Sequence, residues 1–552
     1  MPSLQVGYGT LRRVRGWLER REAWAGLACA ALPLALCLPL LFTALPTGNA
    51  AADSCAVPRL ARGALGVVYD DGLYYLEIAR NVAAGRGSSF DGLHSTNGYH
   101  PLWLLTLVPL VRWASGRELS LVLAFLAQAG MAAAACALVY RSARALGPRP
   151  LAAVLGTIAF AQHQTVYWTW VSGLEYAEQL LLLSALGVCL IERKAPPARI
   201  GWIGALATLA RLDNGLLVAL VAIQSWRVRR QWRDGIACLR PSLLLVGGYL
   251  AASFWFFSHL WPVSAELKAE WSAELLARDP VANHYGALAA KLWNLTWPFT
   301  HMPRGYLLLP CIGLAWAIGL LVRPAPQARL RAVASFALLQ VALYAAIYHD
   351  GYSFEPWYFA VQPWLGALAL AVAAEALLGA TARTRAPSAA AWGVAALAAG
   401  LLVVAALNVG KERARQLQRV EGDPLYATAL WVRDHAPAGA VIGSWNAGLV
   451  ATLSGHTVVN LDGLVNSWAF HDEGRKDLCR YWQETHVSLL ADVFPPDSLP
   501  GGQAAAACAS GLRRLWVGPI RPGSGYQAAV FAVPPAVAER PATMPASSQK
   551  AP

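Results

Sequence analysis

Charge is scarce in this chain. Only 14% of its 552 residues are Asp, Glu, Lys or Arg, against about 25% in a soluble globular domain. Hydrophobic residues make up 56%, which excludes an ordinary soluble enzyme and also a disordered chain, whose composition is polar and highly charged. Cysteine is sparse as well. Nine in 552 residues do not make a disulfide scaffold, and no Cys-x-x-Cys or Cys/His spacing suited to a metal occurs. There is no Gly-rich Walker or Rossmann fingerprint and no His-Glu-x-x-His, so the sequence gives no support to nucleotide-driven chemistry. A polytopic membrane protein with an attached extramembrane part remains.

What the chain has instead is long apolar runs. About eleven are spaced to cross a hydrocarbon layer, near residues 24–45, 119–140, 150–168, 174–191, 200–210, 214–226, 242–260, 305–322, 330–348, 357–379 and 389–409. Arg211 and Asp213 interrupt the run at 200–226, marking either a short turn or a broken helix. The net charge of +13 gathers in alternate loops: Arg12, Arg13, Arg15, Arg20 and Arg21 before the first run, then Arg141, Arg144 and Arg149, and later Arg227 to Arg240. By the positive-inside rule these loops and the N-terminus are cytoplasmic, as in a multi-pass protein of the cell inner (plasma) membrane. The basicity then reports topology, and no nucleic-acid partner is implied. The alternation holds if residues 100–113, short and proline-containing, lie at the interface. The first run exceeds the roughly 7–15-residue core of a signal peptide, which makes it an uncleaved anchor.

The expected fold class is mainly α: a transmembrane domain over 1–410 with external loops 46–118 and 261–304, interfacial helices in the first loop, and an extracytoplasmic α/β domain over 411–535. Strands are expected around Val441, Val458 and Trp516, and a helix over 421–438. Residues 536–552, rich in Pro, Ala and Ser, read as a disordered tail. Cys479 and Cys508 fall on the oxidising side and can pair. Cys29, Cys37, Cys136, Cys189 and Cys311, in or beside spans, read as buried apolar thiols.

Ionisable groups close to membrane depth are costly and tend to mark function, and here they collect on the external side. Asp70 and Asp71 precede a stretch of helical spacing. They either complement a helix dipole, take a proton from a hydroxyl acceptor, or bind a divalent cation such as Mg or Mn through oxygen. Tyr74, Asn97, Tyr99, His100 and Trp103 form either an interfacial belt or a platform for a sugar. Glu175 heads a span, as a cap or as a site residue. Arg211 pairs with Asp213 or meets a phosphate, and Glu266 and Lys268 open the second long loop, where Lys268 also suits a phosphate. His349, Asp350 and Glu355 sit in a short aromatic-rich loop, an interfacial cap or a cavity wall. In the tail domain Asn446, Asp462 and Asn466 can bond sugar hydroxyls or simply shape turns.

The order of these features resembles the GT-C glycosyltransferase superfamily. A first span is followed by Asp70-Asp71-Gly72-Leu73-Tyr74-Tyr75, then by His100-Pro101-Leu102-Trp103, then by a second span ending in arginines. Residues 70–103 are similar to a bacterial group of such proteins and, more distantly, to the actinobacterial arabinofuranosyltransferases of the cell wall. Arg211-Leu212-Asp213 and the stretch from Asn460 to Asn466 are similar to that group too. The resemblance implies a hexosyl- or pentosyltransferase that moves a sugar from a polyprenyl-phosphate donor to a glycan, lipid or protein hydroxyl on the extracytoplasmic face. It implies Asp70 as general base, Asp71 as second carboxylate or metal ligand, and Lys268 and Arg211 beside the lipid phosphate. The alternative is a lipid-linked glycan transporter, or a polymerase-like membrane protein, with an external carbohydrate-binding domain. A transporter needs polar groups inside its spans near mid-bilayer. These spans are nearly clean and the polar groups lie on one face, which favours an enzyme at one interface.

Overall fold

Inside hydrocarbon a single apolar run can satisfy its own backbone only as a helix. The computed structural model describes residues 3–43, 56–163, 166–167, 170–192, 195–294, 308–322, 330–348, 358–381, 387–495, 500–505, 507–520 and 525–534, and in it the described part of each expected apolar run lies mainly on helix. The chain opens with α1 (Ser3–Leu41), α2 (Ala56–Leu65), α3 (Asp70–Ala83), α4 (Pro101–Trp113), α5 (Arg117–Ala145), α6 (Pro150–Gln162) and α7 (Tyr176–Ile191). It continues with α8 (Pro197–Ala210), α9 (Asn214–Arg229), α10 (Trp232–Phe257), α11 (Val263–Arg278), α12 (Pro280–Tyr285) and α13 (Ala287–Asn294). Then come α14 (Leu308–Val322), α15 (Arg331–Ile347), α16 (Val361–Thr381) and α17 (Pro387–Gly422).

Among the described residues, 5 helices are long and apolar enough to cross a membrane: Glu22–Leu41 within α1, α5, α10, α16, and Ala389–Gln416 within α17. Shorter apolar helices of 10–17 residues include α4, α6, α7, α9, α14 and α15. The interruption in the run at 200–226 is a turn between separate helices, since Arg211 caps the end of α8 and Asp213 the start of α9. α4 begins with Pro101 in its first turn and buries Trp103 and Leu107.

The spans pack through small residues. A Cβ on Gly313 of α14 would lie 2.1 Å from the Gln362 carbonyl of α16, and one on Gly366 of α16 would lie 2.0 Å from the Leu309 carbonyl of α14. The two backbones therefore touch, a close approach that only glycine permits. Arginines of the basic loops find acids from neighbouring helices: Arg141 with Glu192 at 2.5 Å, Arg144 with Glu22 at 2.7 Å and Arg149 with Glu375 at 3.0 Å. At the other end of α5, Arg117 lies 3.7 Å from Glu77 of α3. Cys29, Cys37, Cys136 and Cys189 are buried, but Cys311 is exposed. Its turn of α14 shares an outward side with the exposed Ile318 and Val322, and an outward face of an apolar span has lipid rather than protein to meet.

By packing the chain divides into two units, residues 1–421 with Gly463–Trp468, and 422–462 with 469–552. The second unit holds α18 (Pro424–His435), β1 (Val441–Ser444), α19 (Ala447–Ser454), β2 (Thr457–Asn460), α20 (Trp468–Asp472), α21 (Leu478–Glu484), β3 (Val487–Phe494), β4 (Arg513–Ile520) and β5 (Gln527–Ala532), with Trp468 itself belonging to the first unit. Asp423 caps α18 by accepting from Leu425 N at 2.9 Å, and Pro424 fills the first helical position, where a missing N–H costs nothing. The strands form one sheet in the order β2-β1-β3-β5-β4, with β1 parallel to β2 and β3, and β5 antiparallel to β3 and β4. Phe470, Trp482, Leu490 and Phe531 fill its core, and Cys479 is disulfide-bonded to Cys508. The expected tail 536–552 lies outside the described residues.

One buried carboxylate holds the turn after β1. Asp492 accepts from Ser444 Oγ at 2.9 Å, Trp445 N at 2.6 Å, Asn446 N at 2.7 Å and Asn446 Nδ2 at 2.8 Å. The Asn446 amide is thus spent inside the domain. Asp492→Ala leaves these donors without their acceptor, at about 1–3 kcal/mol for each buried donor that stays unpaired. The expected outcome is faster amide hydrogen exchange at Trp445 and Asn446, with the amides of α3 unchanged.

Candidate functional site

α3 carries its functional face by simple periodicity. Asp71, Tyr74, Tyr75 and Ile78 stand at i, i+3, i+4 and i+7, one stripe of a helix, and all four line a single cavity. The start of this helix is pressed against the loop before α7. Tyr69 N donates to Ser172 O at 2.9 Å, and a Cβ on Gly72 would lie 2.4 Å from that same oxygen. Gly72 is therefore the residue that lets an acid-bearing helix start sit on the loop that presents Glu175. The loop is pinned from two sides: Trp103 Nε1 donates to Gly173 O at 2.7 Å, and Gly173 N donates to Gln128 Oε1 at 3.0 Å.

The cavity encloses about 600 Å³, counting its open mouth. Besides the stripe of α3 it is lined by Tyr99 and His100, by Glu175 and Tyr176 at the head of α7, by Arg211, by Ser264 and Lys268 of α11, and by Tyr358. Glu175 is 3% exposed and Arg211 5%, so their charges must be answered within the protein. Arg211 Nη1 donates to Glu175 Oε1 at 2.9 Å and to the Tyr176 hydroxyl at 2.6 Å, while Nη2 donates to the Tyr344 hydroxyl at 3.1 Å. Its Nε lies 3.3 Å from Asp213 Oδ1. Asp213 Oδ2 in turn accepts from Tyr344 at 2.7 Å and from Gln340 Nε2 at 3.0 Å. The guanidinium also lies 4.4 Å from the centre of the Tyr358 ring, within cation–π range. Tyr75 extends the network: its hydroxyl donates to Glu175 Oε2 at 3.1 Å and accepts from His100 N at 3.0 Å. His100 Nε2 lies 3.6 Å from Glu175 Oε1, and burial lowers the imidazole's pKa below its ordinary value.

Asp71 and Lys268 are the more open charges of the cavity, both half-buried. Burial raises the Asp71 pKa, Lys268 draws it down and Glu175 pushes it up again. Lys268 Nζ donates to the Tyr358 hydroxyl at 3.0 Å, and the neighbouring Tyr358 and Asp71 hold its pKa above the usual range against the opposing effect of burial. A carboxylate that resists ionisation and a firmly protonated amine thus share one pocket.

The structure brings together Asp71, Tyr74, Tyr99, His100, Glu175, Arg211 and Lys268 from the residues singled out in the sequence. Asp70 occupies the first position of α3 and is absent from the described lining. Asn97 is buried, and it spends its amide on Ser253, Trp261, Val263 and Trp468. Trp103 is fully buried, Glu266 is exposed, and neither lines the cavity. Asp462 lies in the second unit and Asn466 in the first, where Asn466 Oδ1 accepts from Ser467 N at 2.7 Å. His349, Asp350 and Glu355 lie outside the described residues. Tyr75, Tyr176, Tyr358, Leu464 and Val465 are lining residues that sequence reasoning did not reach. For Tyr75 the signal was available, since it shares the helical stripe of Asp71. Among the described residues no group of three His, Cys, Asp or Glu side chains converges to hold a metal, and the Asp70–Asp71 pair is divided by the helix geometry; we derive no step through a metal.

Arg211 ties the buried Glu175 and the half-buried Asp213 to three tyrosines, whereas Lys268 stands at the cavity wall. Removing one partner of a buried ion pair costs about 3–5 kcal/mol. Arg211→Ala is therefore expected to lower the thermal midpoint of the detergent-purified protein by several degrees, and Lys268→Ala by much less. Equal melting of the two variants would contradict this division.

Residues 410–530 match a family model described as a domain of unknown function (DUF8728). No curated protein matches the chain. Among solved structures the chain is similar to ArnT from Cupriavidus metallidurans bound to undecaprenyl phosphate, with a TM-score of 0.54 at 15% identity, over 93% of this chain and 98% of that one. Apo ArnT from the same organism gives a TM-score of 0.48 at 15% identity, over 91% and 97%. The Archaeoglobus fulgidus oligosaccharyltransferase, in complex with Zn and sulfate, gives 0.48 at 10% identity, over 85% of this chain and 68% of that one. The likeness to lipid-bound ArnT runs over nearly the whole of both chains, and this protein shares the fold of that structure.

Proposed function

We propose that this protein is a membrane glycosyltransferase that moves a sugar from a polyprenyl-phosphate donor to a hydroxyl of a glycan, lipid or protein acceptor on the extracytoplasmic face. The observation that carries this reading is the meeting of Asp71 and Lys268 in one cavity of this fold. ArnT, which shares the fold, binds undecaprenyl phosphate, and a lipid phosphate is the ligand that a firmly protonated lysine beside an aromatic wall suits.

The chemistry follows from charge. The acceptor oxygen attacks the anomeric carbon, the bond from that carbon to the phosphate oxygen breaks, and the electron pair leaves with the polyprenyl phosphate. Lys268 stabilises the negative charge that grows on this leaving group. Asp71 takes the proton that the acceptor hydroxyl gives up. Its raised pKa is an advantage, because a base is most effective when its pKa approaches the working pH. Arg211, already held by Glu175 and Asp213, keeps the cavity's far wall in shape and orients Tyr75 and His100 through Glu175. A single displacement of this kind inverts the anomeric centre. The sugar, hexose or pentose, is read by the groups around Asp71, and the arabinofuranosyl case belongs to the same chemistry.

The direct test incubates purified protein in lipid with a panel of polyprenyl-phosphate sugars and acceptors and measures released polyprenyl phosphate by mass spectrometry. Wild type is expected to release it with one donor. Asp71→Asn is expected to lose roughly a hundredfold or more of the rate, while Asp70→Asn keeps most of it. No release by wild type across the panel would sink the transferase reading, and full activity of Asp71→Asn would sink the assignment of the base.

The electrostatics give a second outcome. Activity requires ionised Asp71, so the rate falls on the acid side as the carboxyl protonates. Lys268 lowers the Asp71 pKa; without that cation the carboxyl protonates at higher pH. The acid limb of the pH–rate profile of Lys268→Met is therefore expected to move to higher pH, and movement to lower pH would show that Lys268 is not coupled to the base.

A further inference from the structure

The cavity is completed by a piece of chain that arrives from far along the sequence. Gly463–Trp468 packs with the first unit, although the residues on both sides of it belong to the second. It is a tight strap: Gly463 has φ +91°, a conformation natural to glycine. A Cβ on Gly98 would lie 1.9 Å from Leu464 O, so the strap's backbone lies directly on the turn that presents Tyr99 and His100. Its far end is clamped. Trp468 stacks on His259 with ring centres 3.6 Å apart and planes 6° apart, and Trp468 Nε1 donates to Asn97 Oδ1 at 3.0 Å. Asn97 Oδ1 also accepts from Val263 N at 3.0 Å, so one amide joins the strap to the first turn of α11. Between these two anchors Leu464 and Val465 enter the lining of the cavity.

We infer that Leu464 and Val465 are specificity-determining residues, an apolar wall that receives an apolar surface attached to the ligand's phosphate. This inference rests on the transferase reading above. The geometry supporting it is local. Ser264 and Lys268 both line the cavity from α11, and they stand at i and i+4, one helical turn apart. Gly98 meets Leu464 O and also Val263 Cγ1 at 3.2 Å, placing the strap beside the first turn of that helix. A ligand whose phosphate meets Lys268 therefore shares its cavity with the strap's side chains. The strap offers aliphatic side chains among the charges of Asp71, Glu175, Arg211 and Lys268. Two parts of the donor supply a matching apolar surface: the first isoprene unit and the C–H face of the sugar.

The test measures binding by native mass spectrometry in detergent, using undecaprenyl phosphate alone in one arm and the polyprenyl-phosphate sugars of the panel in the other. Val465→Asn exchanges the apolar wall for a polar one of similar size, and Val465→Ala, which carries little risk to folding, removes only part of it. Val465→Asn is expected to weaken binding about tenfold and Val465→Ala about threefold, the worth of one buried aliphatic side chain and part of one. Thermal midpoints within a few degrees of wild type show that the fold is kept. Weakening in both arms assigns the contact to the isoprene, and weakening with the sugar-loaded donors alone assigns it to the sugar face. Binding in both arms equal to wild type for both variants would overturn the inference while leaving the transferase reading intact. Absence of binding by wild type in either arm would overturn the transferase reading and this inference with it.

Discussion

The guanidinium of Arg211 is the constraint around which the cavity is built. A charge with 5% of its residue exposed persists only if partners replace water on every side. Here they come from three parts of the chain: Glu175 and Tyr176 at the head of α7, Asp213 at the head of α9, and Tyr344 on α15. The ends of helices that are far apart in sequence are thereby fixed at one level. Glu175, held by this cation, is in turn the acceptor that orients Tyr75 and through it the backbone of His100.

That arrangement divides the charges of the cavity into two kinds. Arg211 pairs with both Glu175 and Asp213, and this network supplies rigidity. Asp71 and Lys268, both half-buried, line the cavity without belonging to that ion-pair network. A site that develops charge in its transition state needs such pre-set groups, because dipoles already in place need not reorganise during reaction. The aromatic hydroxyls of Tyr75, Tyr176, Tyr344 and Tyr358 serve this economy, since they can bridge charges without adding any near neutral pH.

Much of this was legible in the residues, and the rest was not, for identifiable reasons. The apolar helical runs were visible because the bilayer imposes its rule on each segment separately. The pairing of Arg211 with Asp213 was legible at a spacing of two, but Glu175, its other acid, lies 36 positions away. Asn97 and Trp103 stood out as polar and aromatic residues near the candidate base, yet both spend their side chains on backbone and neighbours. Sequence position cannot distinguish a hydrogen bond to a ligand from one that holds a loop. β3 and β5 also escaped notice. Their inner positions are buried on both faces, so they lack the alternation that marks a half-exposed strand.

By itself the sequence determined the class of molecule, the helical spans, the disposition of basic loops and the acid-bearing start of α3, because each follows from local composition and period. Tertiary structure alone decided which acid of the pair faces the cavity, since that depends on the rotation of α3 against the Ser172–Gly173 loop. It also decided that Leu464 and Val465 join residues nearly four hundred positions earlier. Contacts at such separation are set by how whole helices and loops pack, and no local pattern of residues encodes them.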